Sequence, residues 1–224
     1  MNELQSSILK KIESYVSDKM NSVDAGHDMR HIYRVLKNAQ KINETEQGDG
    51  FLIKAGVLLH DITDEKLFDK NQAEIDLEIF LEKIGLGEPL IKNIFKIINA
   101  VSFGSEIDGS GDLTLEQKVV RDADRLDAMG AIGIARTFHY GGSKNREIFN
   151  PDFPPQTYRT TQEYRKSVSP TINHFYEKLL LLKNKMETNT GRQRAEERHN
   201  YMVGFLRQFY KEMDEEGFSL DGNN

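Results

Sequence analysis

Apolar residues recur along this chain at intervals of three and four and rarely alternate, a period that predicts helices rather than strands. Residues 3–16 place Leu4, Ile8, Leu9, Ile12, Tyr15 and Val16 at helical spacing, and residues 27–42 do the same with His31, Val35, Leu36, Ala39 and Ile42. "NETEQGDG" (43–50) reads as a turn, and 51–60 as a short buried helix. Residues 71–84 and 88–101 read as two more amphipathic helices, interrupted at "GLGEP" by Gly87 and Pro89. "FGSEIDGSGDLT" (103–114) is a polar loop. It ends at Thr114, a candidate helix cap with Gln117 as its capping-box partner. The helix that follows would carry "LEQKVVRDADRLDAMGAIGIARTF", whose "AMGAIGIA" (128–135) is built of small residues suited to close packing. "YGGSKNREIFNPDFPPQTYRT" (140–160) holds Gly141-Gly142 and three of the five prolines, and reads as a long loop. Such a loop serves as a lid or as a surface linker. Two long helices are expected after it, roughly 167–188 and 190–215. With no internal repeat and no convincing strand, the pattern predicts one all-α domain over 1–224. Its core is expected at about 20–140, with C-terminal helices at about 160–215 packing on it.

Composition narrows the chemistry. Of 224 residues, 29% are charged and 38% hydrophobic. No apolar run approaches the roughly 18–20 residues of a membrane helix. "MNELQSSILKKIESYV" has no signal-peptide core, so a cytoplasmic protein without a membrane partner is expected. The absence of cysteine excludes disulfides, thiolate metal ligands and a cysteine nucleophile. Any metal must be held by His, Asp or Glu, which favours Mn, Mg, Fe or Co, or Zn with nitrogen and oxygen ligands. A net charge of −6 weighs against a stable nucleic-acid partner and leaves room for a local basic pocket that takes a phosphorylated small molecule. Neither a Gly-rich phosphate loop nor a G-x-S-x-G elbow is present.

The stretch "AGVLLHDITDEKLF" (55–68) ends an apolar run in His60 and Asp61. A helix end emerging into solvent explains it, and so does a metal site. Inside a regular helix, adjacent side chains point about 100° apart, so neighbouring His and Asp can share an ion only where the helix ends. Two further features favour the metal. In "GHDMRHIYRVL", His27 and His31 stand one turn apart on one face. In "VVRDADRLDAMG", Asp122, Asp124 and Asp127 crowd an otherwise apolar helix, which is costly unless the carboxylates are paired or bound to cations.

The order His31, then His60-Asp61, then an Asp of "ADRLD" resembles the H…HD…D signature of the HD superfamily of metal-dependent phosphohydrolases. "GHDMRHIYRV", "LLHDITDEKL", "RDADRLDAMGAIGIARTFHYGG" and "HFYEKLLLLKNKMETNTGRQRAEERHNYMVGFL" look like the bacterial HD-domain hydrolases of the nucleotide pyrophosphohydrolase-like group. The likeness runs over nearly the whole chain and is weakest at 143–160. It implies a single globular HD-domain helical bundle with additional C-terminal helices, and His31, His60, Asp61 and Asp124 as metal ligands. It also implies one divalent ion, with Mn favoured over Mg, Co, Ni, Fe and Zn. In this reading Asp122 faces solvent and Asp127 orients a ligand.

Related enzymes carry an acidic residue, held to position or deprotonate water, at the step occupied here by Asp64. Glu65 is the substitute, Lys66 adjoins them, and a helix cap is the structural alternative for Asp64. His27, Arg30, Arg125, Lys144 and Arg146 are the candidate substrate contacts, with Arg34 and Arg136 also available. Lys66 and Arg125 rank first because they lie nearest the ligands in sequence, and a guanidinium suits bidentate phosphate binding. His139 and Tyr140 border the loop, while His174 and His199 are expected to pack on the late helices. The expected activity is hydrolysis of a phosphorylated small molecule, a nucleotide, with pyrophosphate release from a nucleoside triphosphate favoured over monophosphatase or cyclic phosphodiesterase action. The alternative is a non-catalytic nucleotide-sensing or interaction module on the same fold. A di-iron oxygenase would need extra histidine ligands at additional motif positions, for which the chain shows no matching set, and a homodimer stays open.

Overall fold

The structure, a computed structural model, describes residues 2–20, 29–64, 68–101, 112–158 and 168–218. Every regular element among the described residues is helical, so the chain is all-α. It divides into two compact units, Met1–Asp124 and Arg125–Asn224.

In the first unit the most apolar stretch becomes the central helix. Asp49 caps α3 (Gly50–Leu59) by accepting from the amides of Phe51 and Leu52 at 2.8 and 3.1 Å. Phe51, Ile53, Ala55, Gly56, Val57, Leu58 and Leu59 are all buried, because α3 packs against α1 (Glu3–Met20), α2 (Met29–Glu46) and α5 (Glu88–Val101). A helix enclosed on several sides has no polar face to spare. At Gly56 an added Cβ would lie 2.5 Å from Ile97 Cγ2, so glycine is what lets α3 and α5 approach. The core is filled by Ile8, Ile12 and Val16 of α1, Ile32 of α2, Leu77 and Leu81 of α4 (Lys70–Lys83), and Ile94 and Ile98 of α5. Helix α2 runs four residues beyond its expected end, which shortens the 43–50 turn; the start of the expected 27–42 helix lies outside the described residues.

Helix α6 (Leu115–Asp127) opens with the capping box expected at Thr114. The Thr114 amide donates to Gln117 at 2.7 Å and the Gln117 amide to Thr114 Oγ1 at 3.4 Å.

Sequence period and structure part company after α6. The expected continuous helix from 115 breaks, and α7 (Gly130–Ser143) starts anew. Gly130 has φ +69, which L side chains avoid, and a Cβ at Gly133 would fall on the Ala128 carbonyl, inside van der Waals contact. The small residues of "AMGAIGIA" thus make a corner, with only Gly130 and Gly133 of α7's first turns buried. Helix α7 also absorbs Gly141 and Gly142, so they form its last turn rather than a loop hinge. Gly141 is needed for proximity, since a Cβ there would collide with Thr171 Oγ1.

The expected helix 167–188 is not continuous either. Its described part is a short helix, α8 (Asn173–Glu177), followed by a 3-10 segment (Leu179–Lys185). The amides of Thr171 and Ile172 donate instead to the carbonyls of Glu147 and Ile148 at 2.8 and 3.0 Å, and Lys178 departs from helical angles at φ −144. Leu179, Leu180 and Leu182 are buried and Leu181 is exposed, a pattern set by the surroundings because four consecutive leucines carry no helical phase. Helix α9 (Asn189–Met213) begins at Thr188, whose Oγ1 accepts from the Gly191 amide at 2.9 Å. Phe138, Phe149, Phe175, Tyr176, Phe205, Phe209, Tyr210 and Phe218 pack ring against ring to form the aromatic part of this unit's core.

Candidate metal centre

Three helix segments of the first unit converge on one point. His31 lies in the first turn of α2 and is buried. His60 is the C-terminal cap of α3, and the chain then turns: the Ile62 amide donates to Leu59 and the Asp64 amide to Asp61. That turn answers why His and Asp stand side by side. His60 itself keeps helical angles, φ −60 and ψ −28, and in the tight turn that follows Asp61 brings Oδ1 to within 3.2 Å of His60 Nε2, so the two face the same space. Asp124 arrives from α6.

His31 Nε2 and His60 Nε2 are 3.3 Å apart. Asp61 lies 3.2 Å from His60 Nε2 through Oδ1 and 3.6 Å from His31 Nε2 through Oδ2. Asp124 Oδ1 lies 3.5 Å from His31 Nε2 and 3.8 Å from His60 Nε2. One ligand atom from each of His31, His60 and Asp124 lies within 4.8 Å of the others. Two donors held about 2.1 Å from one ion stand roughly 3.0–3.4 Å apart between octahedral and tetrahedral angles. The imidazole pair and the His60–Asp61 pair fall inside that range, and the His31–Asp61, His31–Asp124 and His60–Asp124 spacings lie within a few tenths of an ångström of it, while the set of mutually close ligand atoms comprises His31, His60 and Asp124 and leaves Asp61 beside it. Imidazole and carboxylate are the donor types that suit a divalent ion.

The backbone sets the tautomer. His60 Nδ1 is 2.8 Å from the Val57 carbonyl, which only accepts, so Nδ1 donates and Nε2 turns its lone pair to the cluster. Burial alone would lower the pKa of His60. The carboxylates of Asp61 and Asp124, then the Val57 carbonyl and Asp64, outweigh it and raise the pKa above its ordinary value. The same negative field attracts a cation. No residue-type signal marks the Val57 contact, because any residue has a carbonyl.

The other carboxylates of the cluster sort differently from expectation. Asp122 is fully buried rather than solvent-facing. Asp127 places Oδ2 2.5 Å from Arg136 Nη1, an ion pair. Asp64 is partly exposed and follows the turn. Its carbonyl accepts from the Phe68 amide, and the next described helix takes Asp69 as its cap. Glu65, Lys66 and His27 lie outside the described residues.

Among the basic candidates, Arg30 is exposed beside His31. Arg125, in the second unit, is buried, donates to the Lys185 carbonyl and pairs with Glu187 at 3.7 Å. Lys144 and Arg146, also in the second unit, stand over the Tyr140 ring at 5.8 and 5.7 Å from its centre. His139 and Tyr140 are exposed at the end of α7.

A sequence model of the HD domain matches residues 29–129, the span that holds His31, His60, Asp61 and Asp124. An HD-superfamily hydrolase from Bacillus thuringiensis is 38% identical, with a TM-score of 0.75 over 95% of this chain and 100% of that one. This chain belongs to the HD superfamily. YpgQ of Bacillus subtilis is 34% identical over 95% of this chain and 96% of its own. The crystal structure of YpgQ in complex with ADP superposes with a TM-score of 0.74 over 93% of this chain and 96% of that chain. A Lactobacillus plantarum protein of known structure is 35% identical, with a TM-score of 0.81 over 93% of this chain and 97% of that one. The likeness to these proteins therefore extends beyond residues 29–129 into the later helices. Among the described residues, no helix is long and apolar enough to cross a membrane.

Proposed function

We propose that this HD protein is a metal-dependent nucleotide phosphohydrolase that releases pyrophosphate from a nucleoside triphosphate, with His31, His60, Asp61 and Asp124 holding one divalent ion, Mn favoured. The observation that carries the reading is the 3.3 Å approach of two imidazole Nε2 atoms with two carboxylates against them. A ligand set of four leaves positions open, as catalytic sites require. When bound, the ion supplies Lewis acidity toward a phosphate oxygen and lowers the pKa of a water. The chain's own groups do the rest. The Val57 carbonyl keeps His60 in the ligating tautomer. Asp64, one turn beyond Asp61, takes a proton from the attacking water. Basic side chains, Lys66 first among them, hold the phosphates. The ADP found on YpgQ supports a nucleotide as the ligand.

The test is metal titration together with a hydrolysis panel. Purified protein, stripped of metal, is titrated with Mn, Mg, Co and Ni, and products from nucleoside tri-, di-, mono- and cyclic phosphates are separated. The expected outcome is one tight divalent ion, lost in His31→Ala, His60→Ala and Asp124→Ala, with pyrophosphate and nucleoside monophosphate as products. Orthophosphate alone would make it a monophosphatase. Metal binding without turnover of any nucleotide would leave the non-catalytic sensor.

A further inference from the structure

Helix α2 buries one polar side chain in line with His31. Asn38 is seven residues on, about 20° short of two full turns, so it shares the face of His31. Around it that face is apolar, with Ile32, Val35, Ala39 and Ile42 fully or almost fully buried. An asparagine there costs stability unless its amide is satisfied. Its Nδ2 donates to the carbonyl of Ala123 on α6 at 3.1 Å. That carbonyl already belongs to the helical ladder of α6, and its second lone pair is free to accept.

Ala123 immediately precedes Asp124. The Ala123 carbonyl, the Asp124 nitrogen and the Asp124 Cα lie in one rigid peptide plane. Tethering that oxygen therefore fixes the point from which the Asp124 side chain departs. The tether matters at this position because Asp124's side chain is 35% exposed, whereas those of His31 and His60 are 2% and 3% exposed. Packing holds the imidazoles and does not hold the carboxylate.

We propose that Asn38 is a positioning residue for the metal centre: it locks α6 to α2 in the register that brings Asp124 to within 3.5 Å of His31 Nε2. The inference rests on the reading of Asp124 as a metal ligand. Asn38 itself touches neither ion nor substrate.

The experiment measures Mn affinity by competition with a chromophoric chelator, alongside the melting temperature of the metal-free protein. Asn38→Leu keeps size and removes the donor. Val35→Ala, on the same buried face, is the matched control for lost packing. Partners behind a ligand set metal affinity by about 10–100-fold. Asn38→Leu should weaken Mn binding by that factor, while Val35→Ala lowers the melting temperature and leaves Mn affinity within about twofold. Asn38→Ser, too short to reach the carbonyl, serves if the leucine variant does not fold, and the same loss is expected. Wild-type affinity in a folded Asn38 variant overturns the proposal, and so does an equal loss in Val35→Ala, which would make Asn38 ordinary packing. His31→Ala separates the two levels of failure. If wild type binds no Mn, or His31→Ala binds as well as wild type, the metal centre itself is wrong. If His31→Ala loses Mn and the Asn38 variants keep it, only the positioning role falls.

Discussion

Replacing His174 with glutamine should make the protein less sensitive to acid. His174 lies on α8, and burial, with Lys178 and then Arg146 adding positive charge, holds its pKa down from 6.5 to about 3. The folded protein thus keeps this ring neutral well below the pH at which the unfolded chain protonates it. A depressed folded value means that the stabilisation is complete above 6.5 and is lost as the pH falls toward about 3. The loss is about 1.4 kcal/mol per pH unit, hence about 2 kcal/mol between neutral pH and pH 5. Against a typical total of about 5–15 kcal/mol, that is readily measured. Urea unfolding of wild type and His174→Gln at pH 7 and pH 5 gives four free energies. Glutamine does not titrate, and any constant cost of the substitution cancels when each protein is compared with itself across pH. Wild type should lose about 2 kcal/mol more than the variant over this interval. Parallel losses in wild type and His174→Gln would refute the reasoning and move the acid sensitivity to other groups.

Asp64→Asn should retain the fold and the divalent ion yet slow turnover by about 10²–10⁴-fold, read as steady-state product release at saturating metal. Near-normal turnover with metal bound would transfer the role to Glu65. Gly133→Ala should destabilise the protein by about 1–3 kcal/mol in a denaturant titration, because its Cβ has to displace the Ala128 backbone where α6 turns into α7. A neutral result would show that the corner relaxes freely.

Much of this molecule was legible in its sequence because the signals are local. The apolar period placed α1, α2, α4 and α5 to within a few residues, and the continuous apolar run placed the enclosed α3. The Thr114–Gln117 box marked the start of α6 because a cap is built from residues three apart. The order His31, His60-Asp61, Asp124 pointed to the HD superfamily before any contact was known. Tertiary structure decided what depends on neighbours distant in the chain. Four consecutive leucines could not say that a helix ends at Glu177, since they carry no helical phase and the break lies in the backbone of Lys178, at φ −144. Small residues in "AMGAIGIA" could not say whether they pack flat or turn a corner, because the answer lies in the φ of Gly130 and the place of one carbonyl. Composition could not separate three nearby aspartates. In the structure one is buried, one pairs with Arg136 of α7, and one meets the imidazoles of α2 and the end of α3. Asn38 carries no local signal for the same reason. An asparagine in an apolar stripe has meaning only once the Ala123 carbonyl stands 3.1 Å in front of it.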